Sequence, residues 1–341
     1  MKTHNRIRMI PFGQWLTNVT FVLAVVVSSG NLSAQNSRCD PNKVMTAESC
    51  AKCHVNEVQT WKKTPHFRTF DELGRRPEAK EICSKLGLRS VKRSDVCIDC
   101  HFTTKHINGK NKAVSGVSCE SCHGASQDWI AIHNDYGPTG TKETESSAHA
   151  AERLSMSSEF GMNNTRNLYD IASNCFNCHT VPNEELVNVG GHKAGTEDFE
   201  LVRFSQGQVR HNYLRTNGTA NAQSEPARLR VMYIVGMMAD LEYSTRATAR
   251  ATEKSTFGTK VANRAARTAV KLFEVQQKIN DPHVEAALQA FAQAELKINN
   301  GESLSQIADQ IKSAGQSFSS LADGARLSMI DPLLPNPSEY K

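Results

Sequence analysis

Cys50-Ala51-Lys52-Cys53-His54 is the first of four stretches with one pattern: two cysteines separated by two residues, then a histidine. The others are Cys97-Ile98-Asp99-Cys100-His101, Cys119-Glu120-Ser121-Cys122-His123 and Cys175-Phe176-Asn177-Cys178-His179. Residue frequencies alone would place one such motif in only about 0.01 of chains of this composition, so four are not accidental. The spacing suits covalent attachment of haem. Two thiols join the two vinyl groups of one porphyrin, and two intervening residues let a single turn of chain bring both sulfurs to one edge. The histidine then lies under the iron and coordinates it. Zinc ribbons use CxxC pairs but need no histidine after each one. Thioredoxin-like redox motifs come singly, and disulfides require no CxxCH. The pattern predicts four covalently bound haem c groups, attached at Cys50, Cys53, Cys97, Cys100, Cys119, Cys122, Cys175 and Cys178 and ligated by His54, His101, His123 and His179.

The rest of the composition agrees. Of 341 residues only 6% are aromatic, thin for a core of this size, and porphyrins can fill space that Phe and Trp fill elsewhere. Residues 1–34 read as a secretory signal: Lys2, Arg6 and Arg8, then the apolar run Val19 to Val27, then Leu32-Ser33-Ala34 for cleavage. The run is about half the length of a membrane span. The reading is therefore a periplasmic or secreted protein with a cleaved signal. The net charge of +5 falls to +2 without the three basic residues of the signal. Eight haem propionates would take it to about −6. No nucleic-acid motif and no concentrated basic stripe is visible, which argues against a nucleic-acid partner.

Along the chain the expected fold is mainly α. A multihaem cytochrome c domain of short helices and long loops spans 35–224, and an antiparallel helical bundle with a C-terminal tail spans 225–341. The segment 47–63 reads as a helix stopped by Pro65, and 108–116 and 137–147 read as loops. After Glu225 cysteine disappears and helical periodicity strengthens. Pro226 opens a helix reaching about Thr252, a second runs from about Gly258 to Ile279, and Asp281-Pro282 starts a third that Asn299-Asn300-Gly301 ends. Ser303 starts a fourth. The bundle's methionines read as core filler.

Seven further histidines of the mature chain stand outside the motifs: His66, His106, His133, His149, His192, His211 and His283. Imidazole is a good second axial ligand for haem iron. His66, twelve residues after the first motif histidine, and His133, ten after the third, are the leading candidates. His192 and His211 compete beyond the fourth motif, with His211 slightly preferred. His106 is too close to His101 to reach over its haem easily, His149 is similar, and His283 lies in the bundle. Cys39 and Cys83 remain over, and in an oxidising compartment a Cys39–Cys83 disulfide is the simplest expectation.

The stretch from Cys50 to His54, with Gln59-Thr60-Trp61-Lys62-Lys63-Thr64-Pro65-His66, resembles the first haem segment of the tetrahaem cytochrome c-554 family. Gly116-Val117-Ser118-Cys119-Glu120-Ser121-Cys122-His123-Gly124 is similar to that family's third haem segment. The resemblance covers residues 45–215 and not the bundle. It implies that His66 and His133 ligate haems other than their own, that a third distal ligand is His211 or His192, and that the second haem, at Cys97 and Cys100, is five-coordinate. The family shares its haem stacking with hydroxylamine oxidoreductase and pentahaem nitrite reductase. The long segment 185–215 and the bundle depart from its pattern.

The function expected is electron transfer between redox partner proteins. The alternative is a haem enzyme acting on nitric oxide, hydroxylamine or nitrite at an open haem. Against the enzyme stands the absence of a CxxCK motif. The bundle offers a surface for homo-oligomer formation or docking, and peripheral association with membrane redox complexes is the corresponding expectation for partners.

Overall fold

A computed structural model of the chain describes residues 39–138 and 140–341, and the expected signal segment 1–34 lies outside them. The described chain is mainly helical, with one two-stranded sheet.

The first motif interrupts the helix expected over 47–63. Helix α1 (Ala47–Cys50) ends on Cys50, the motif turns through Ala51–Cys53, and α2 (Val55–Trp61) follows. Pro65 does not stop a helix but opens one. It is the first residue of α3 (Pro65–Glu72), where its fixed φ and missing N–H are harmless. Thr64 Oγ1 caps that helix, accepting from Phe67 N at 3.2 Å. Next come α4 (Pro77–Lys85) and α5 (Asp95–His101), which ends on the second motif. Residues 102–116, of which 108–116 are expected as loop, form a hairpin of β1 (Phe102–Ile107) and β2 (Lys110–Gly116), paired from Phe102 opposite Gly116 to Ile107 opposite Lys110. Asn108 and Gly109 at its tip have φ of 53° and 73°, the left-handed pair that a tight two-residue hairpin turn requires. Ala79, Cys83, Val91, Cys97, Ile98 and Phe102 form a small core beneath this lobe.

The third motif is itself a helix, α6 (Cys119–His123). After the irregular stretch containing Trp129 and His133 comes α7 (Ser147–Glu159). Helix α8 (Leu168–His179) carries the fourth motif on its last turn. Two short helices, α9 (Glu184–Asn188) and α10 (Leu201–Ser205), lead to the bundle.

The bundle is built round α11 (Pro226–Ala249). Ile234, Val235, Met238, Ala239 and Leu241 are fully buried on different sides of it. A helix apolar all round is one enclosed by neighbours, and α12 (Thr256–Ile279), α14 (Gly301–Leu321), α8 and α10 all pack on it. Helix α12 ends at Asn280, left-handed with φ 48°. Asp281 then caps α13 (Pro282–Ala292), its Oδ1 accepting from His283 N and Val284 N. Helix α13 stops seven residues before the expected end at Asn299, and α14 starts at Gly301 rather than Ser303. Met232, Met237 and Met238 pack in the core as apolar filler.

Helix α8 belongs to both regions. Leu168, Tyr169, Ala172 and Phe176 lie in the bundle core with Cys175 packed against it, while Cys178 meets Cys100 and His179 faces His66. Tyr169 donates to Glu242 Oε2 at 2.9 Å, and its ring lies so close to Gly315 of α14 that a Cβ there would be 2.0 Å from Cε2. Among the described residues no helix is long and apolar enough to cross a membrane.

Candidate haem-binding sites

Each motif histidine faces one histidine from elsewhere in the chain. The ring centres of His54 and His133 are 6.2 Å apart, those of His66 and His179 6.4 Å, His101 and His192 6.3 Å, and His123 and His211 6.2 Å. Two imidazoles on opposite sides of one iron, with metal–nitrogen bonds of about 2 Å, stand roughly 6 Å apart centre to centre. All four separations have that value. His106 instead bonds Asn111 across the hairpin at 3.0 Å, and His149 bonds Glu145 at 2.7 Å.

The local structure that aims these rings differs at each site. His101, His123 and His179 are the last residues of α5, α6 and α8. His66 is the second residue of α3. His133 follows Trp129 in an irregular turn, and its carbonyl accepts from Arg153 Nη1 at 2.7 Å. Arg153 is held in turn by both carboxylate oxygens of Glu145, each at 2.7 Å. His192 lies on a loop between Gly191 and Gly195, whose φ values are 79° and 85°. His211 lies in the coil after α10.

Several Nδ1 atoms are already engaged, which leaves Nε2 to face a metal. His123 Nδ1 pairs with the Asn163 carbonyl at 3.1 Å, His133 Nδ1 with Ile130 at 2.6 Å, His192 Nδ1 with Lys193 at 2.8 Å and His211 Nδ1 with Val209 at 2.7 Å. His179 Nδ1 is hydrogen-bonded to Thr196 Oγ1 at 3.0 Å, and Phe199 stacks on the same ring at 4.1 Å with 17° between planes. Burial, followed by the facing histidine, depresses His101 to about 4, His123 to about 4 and His179 to about 3. Burial also lowers His66 and His133. The rings are thus kept as neutral imidazole, the form that binds metal.

The motif cysteines meet one another between segments. Cys50 and Cys119 are hydrogen-bond partners, as are Cys100 and Cys178, and Cys122 lies within electrostatic reach of Cys178. The four sites therefore adjoin in the order first, third, fourth, second. Cys39 and Cys83 do not form the expected disulfide. Cys83 sits in the small core against Cys97, while Cys39 lies near Glu120 and Cys122. They were the only two cysteines left outside the motifs, and the fold gives each a different neighbour.

Buried donors without partners suit the carboxylates that haem brings. Trp129 Nε1, Arg203 Nε, Arg210 Nε and Arg264 Nη2 are buried and unpaired. Trp129 touches the His133 ring edge-on at 5.2 Å, and Arg264 Nη1 donates to the His179 carbonyl at 3.1 Å. An unpaired buried donor costs about 1–3 kcal/mol, and a propionate would relieve it. The residues present therefore fit haem.

Some functional residues carry no sequence signal. Glu120 looks like a variable position inside the third motif. Its buried carboxylate accepts from Met45 N at 2.9 Å, Thr46 N at 2.8 Å, Ser126 N at 2.9 Å and Ser126 Oγ at 2.7 Å. It ties the chain before the first motif to the chain after the third, next to Thr46 with its φ of 76°. Gly124 is required by close approach as well as by its φ of 85°, since a Cβ would lie 2.2 Å from the Gly161 carbonyl. Thr196, Phe199 and Arg264 act only through contacts made by distant segments.

The four CxxCH motifs, each with a second histidine facing its own, form the residue set that a c-type cytochrome uses to hold haem. Residues 49–124 match the family described as cytochrome c554 and c-prime. It is similar to cytochrome c-554 of Nitrosomonas europaea, 29% identical over 98 residues. That match takes in 26% of this chain and 42% of the relative, so the chain spans less than half the length of the curated relative it matches. No solved structure matches it significantly.

Proposed function

We propose that the chain is a tetrahaem cytochrome of the periplasm or cell exterior in which every iron has two histidine ligands, and that it passes electrons between redox partner proteins. The observation that carries this is the pairing of each CxxCH histidine with one second histidine at 6.2–6.4 Å. Cys50, Cys53, Cys97, Cys100, Cys119, Cys122, Cys175 and Cys178 would hold the four haems. His54 with His133, His101 with His192, His123 with His211 and His179 with His66 would supply the axial ligands. When bound, bis-histidine haem c supplies reversible one-electron chemistry at low potential.

The chain's own residues do the rest. They favour the neutral ring at His66, His101, His123, His133 and His179, fix several rings through Nδ1, and would bring neighbouring sites together in the order first, third, fourth, second. His192 opposite His101 supports a closed second site, unlike the five-coordinate one that the family resemblance implies. An enzyme reading needs an open iron, and this arrangement favours the carrier. In the same reading residues 35–224 are the tetrahaem domain and 225–341 a helical domain with a tail, joined through α8. A pyridine haemochrome assay tests the proposal. Four haems per chain are expected, and two would overturn it.

A further inference from the structure

The lobe that carries the second site differs in charge from the rest of the chain. Residues 62–112 hold thirteen Lys and Arg against six Asp and Glu, a net +7. The remaining described residues sum to −6. No short run of sequence shows this, because the basic residues are spread over α3, α4, the hairpin and the turns between them. The fold gathers these elements round one small core. Arg75, Lys80, Arg89, Arg93, Lys110 and Lys112 are exposed there, and among the described residues no carboxylate is within ion-pair distance of them. Only Glu72 and Glu81 are used within the lobe, by Arg68, Arg76 and Lys85.

The opposite end of the row of sites has the opposite sign. Round the first site, residues 39–61 and 124–138 hold Asp40, Glu48, Glu57, Asp128 and Asp135 against Lys43 and Lys52, with Lys62 in electrostatic reach of Glu48. Of these, Lys43 is already paired with Asp128 at 2.6 Å. The row thus ends in a basic lobe at the second site and an acidic one at the first. Opposed charges at two ends steer two partners to different places and raise encounter rates with the matching one.

We propose that the basic lobe round the second site is the docking face for an acidic redox protein. This rests on the tetrahaem reading above. The partner recognised is a protein with a carboxylate-rich face round its own redox centre. Lysines and arginines of the lobe orient it, and the ion pairs form in solvent, so they set association more than residence.

The test uses the haem-loaded full chain and flavodoxin, an acidic one-electron protein, as the probe. Affinity is measured by isothermal titration at low and high salt. Binding is expected at low salt and at least tenfold weaker at high salt. The variant R75E/K80E/R89E/R93E should lose at least tenfold in affinity at low salt. A control reversing Lys254, Arg267, Lys278 and Lys312 of the bundle should change it less than twofold. Equal losses in both variants, or none in either, would overturn the proposal. So would binding to phosphatidylglycerol vesicles, abolished by the lobe variant, with no binding to flavodoxin, because the lobe would then face a membrane. If the lobe variant fails to fold, the salt dependence of the unaltered protein and the effect of the bundle control decide. The haemochrome count is read separately, so failure of the tetrahaem reading shows there and not in the titration.

Discussion

Arg264 of α12 meets Asp240 of α11 at 2.6 Å, Nε to Oδ1, with both side chains nearly buried. The same guanidinium donates through Nη1 to the carbonyls of His179 and Thr196, each at 3.1 Å, and Thr196 Oγ1 bonds His179 Nδ1. Thr268 Oγ1 donates to the other carboxylate oxygen of Asp240 at 3.0 Å. The bundle thereby places a fixed positive charge, with its counter-charge one step behind, against the backbone of a motif histidine. A nearby cation favours the electron-richer state of an iron. Arg264→Gln should lower the midpoint potential of one haem and Asp240→Asn should raise it, with Arg264→Lys between Gln and the parent. A potentiometric titration followed by absorption checks this, and four unchanged midpoints in both variants would sink it. Each single variant also breaks a buried pair, at a cost of about 3–5 kcal/mol.

His192 stands opposite His101 on a loop, its Nδ1 hydrogen-bonded to the carbonyl of the next residue, Lys193. His192→Ala should leave the fold intact and turn one haem per chain high-spin. The reduced variant should then bind carbon monoxide at one haem, and the reduced parent at none. An unaltered spectrum in the variant would remove His192 from the ligand set.

Gly315 allows α8 to lie against α14, since Tyr169 fills the space a side chain would need. Gly315→Ala should destabilise the protein by about 1–3 kcal/mol, the usual cost of overpacking a closed core. Denaturant unfolding measures it. The contact is shared by both regions, so haem absorbance and helical circular dichroism should lose stability together.

Arg153 and, less strongly, His149 hold the Glu145 carboxyl down to about 2. A carboxylate with a lowered native pKa stabilises the fold fully above its unfolded value and loses that contribution as pH falls through the native one. The stability gap between the parent and Glu145→Gln should therefore be constant from pH 5 to neutrality and close between about pH 4.5 and 2. Urea midpoints across this range decide. A gap that widens as pH falls would contradict the assignment.

The motifs and the bundle were legible because each depends on spacing within a few residues. CxxCH is local chemistry, and α11 to α14 follow from apolar period and caps such as Asp281-Pro282. Pro65 was misread because a proline that ends one helix can equally begin the next, and only Thr64 as a cap distinguishes the two. The hairpin had its signal in Asn108-Gly109, hidden by flanks rich in Lys and Asn. The facing of histidines is a different matter. His66 and His179 are more than a hundred residues apart, and which ring looks at which depends on where α3 and α8 come to rest. Glu120 and Arg264 are invisible for the same reason, since Glu120 accepts from the backbone of Met45 and Thr46 and Arg264 reaches the carbonyls of His179 and Thr196, all remote in sequence.

Helix α8 has a consequence for the time at which the protein is made. Cys175 is half-buried against the same core as Tyr169 and Phe176, so on the tetrahaem reading proposed above the thioether bonds of the fourth motif would form before α11 and α14 close on the helix. Chain order would provide the interval, because Cys178 is synthesised well before Pro226, and the C-terminal third would then seal a site already loaded.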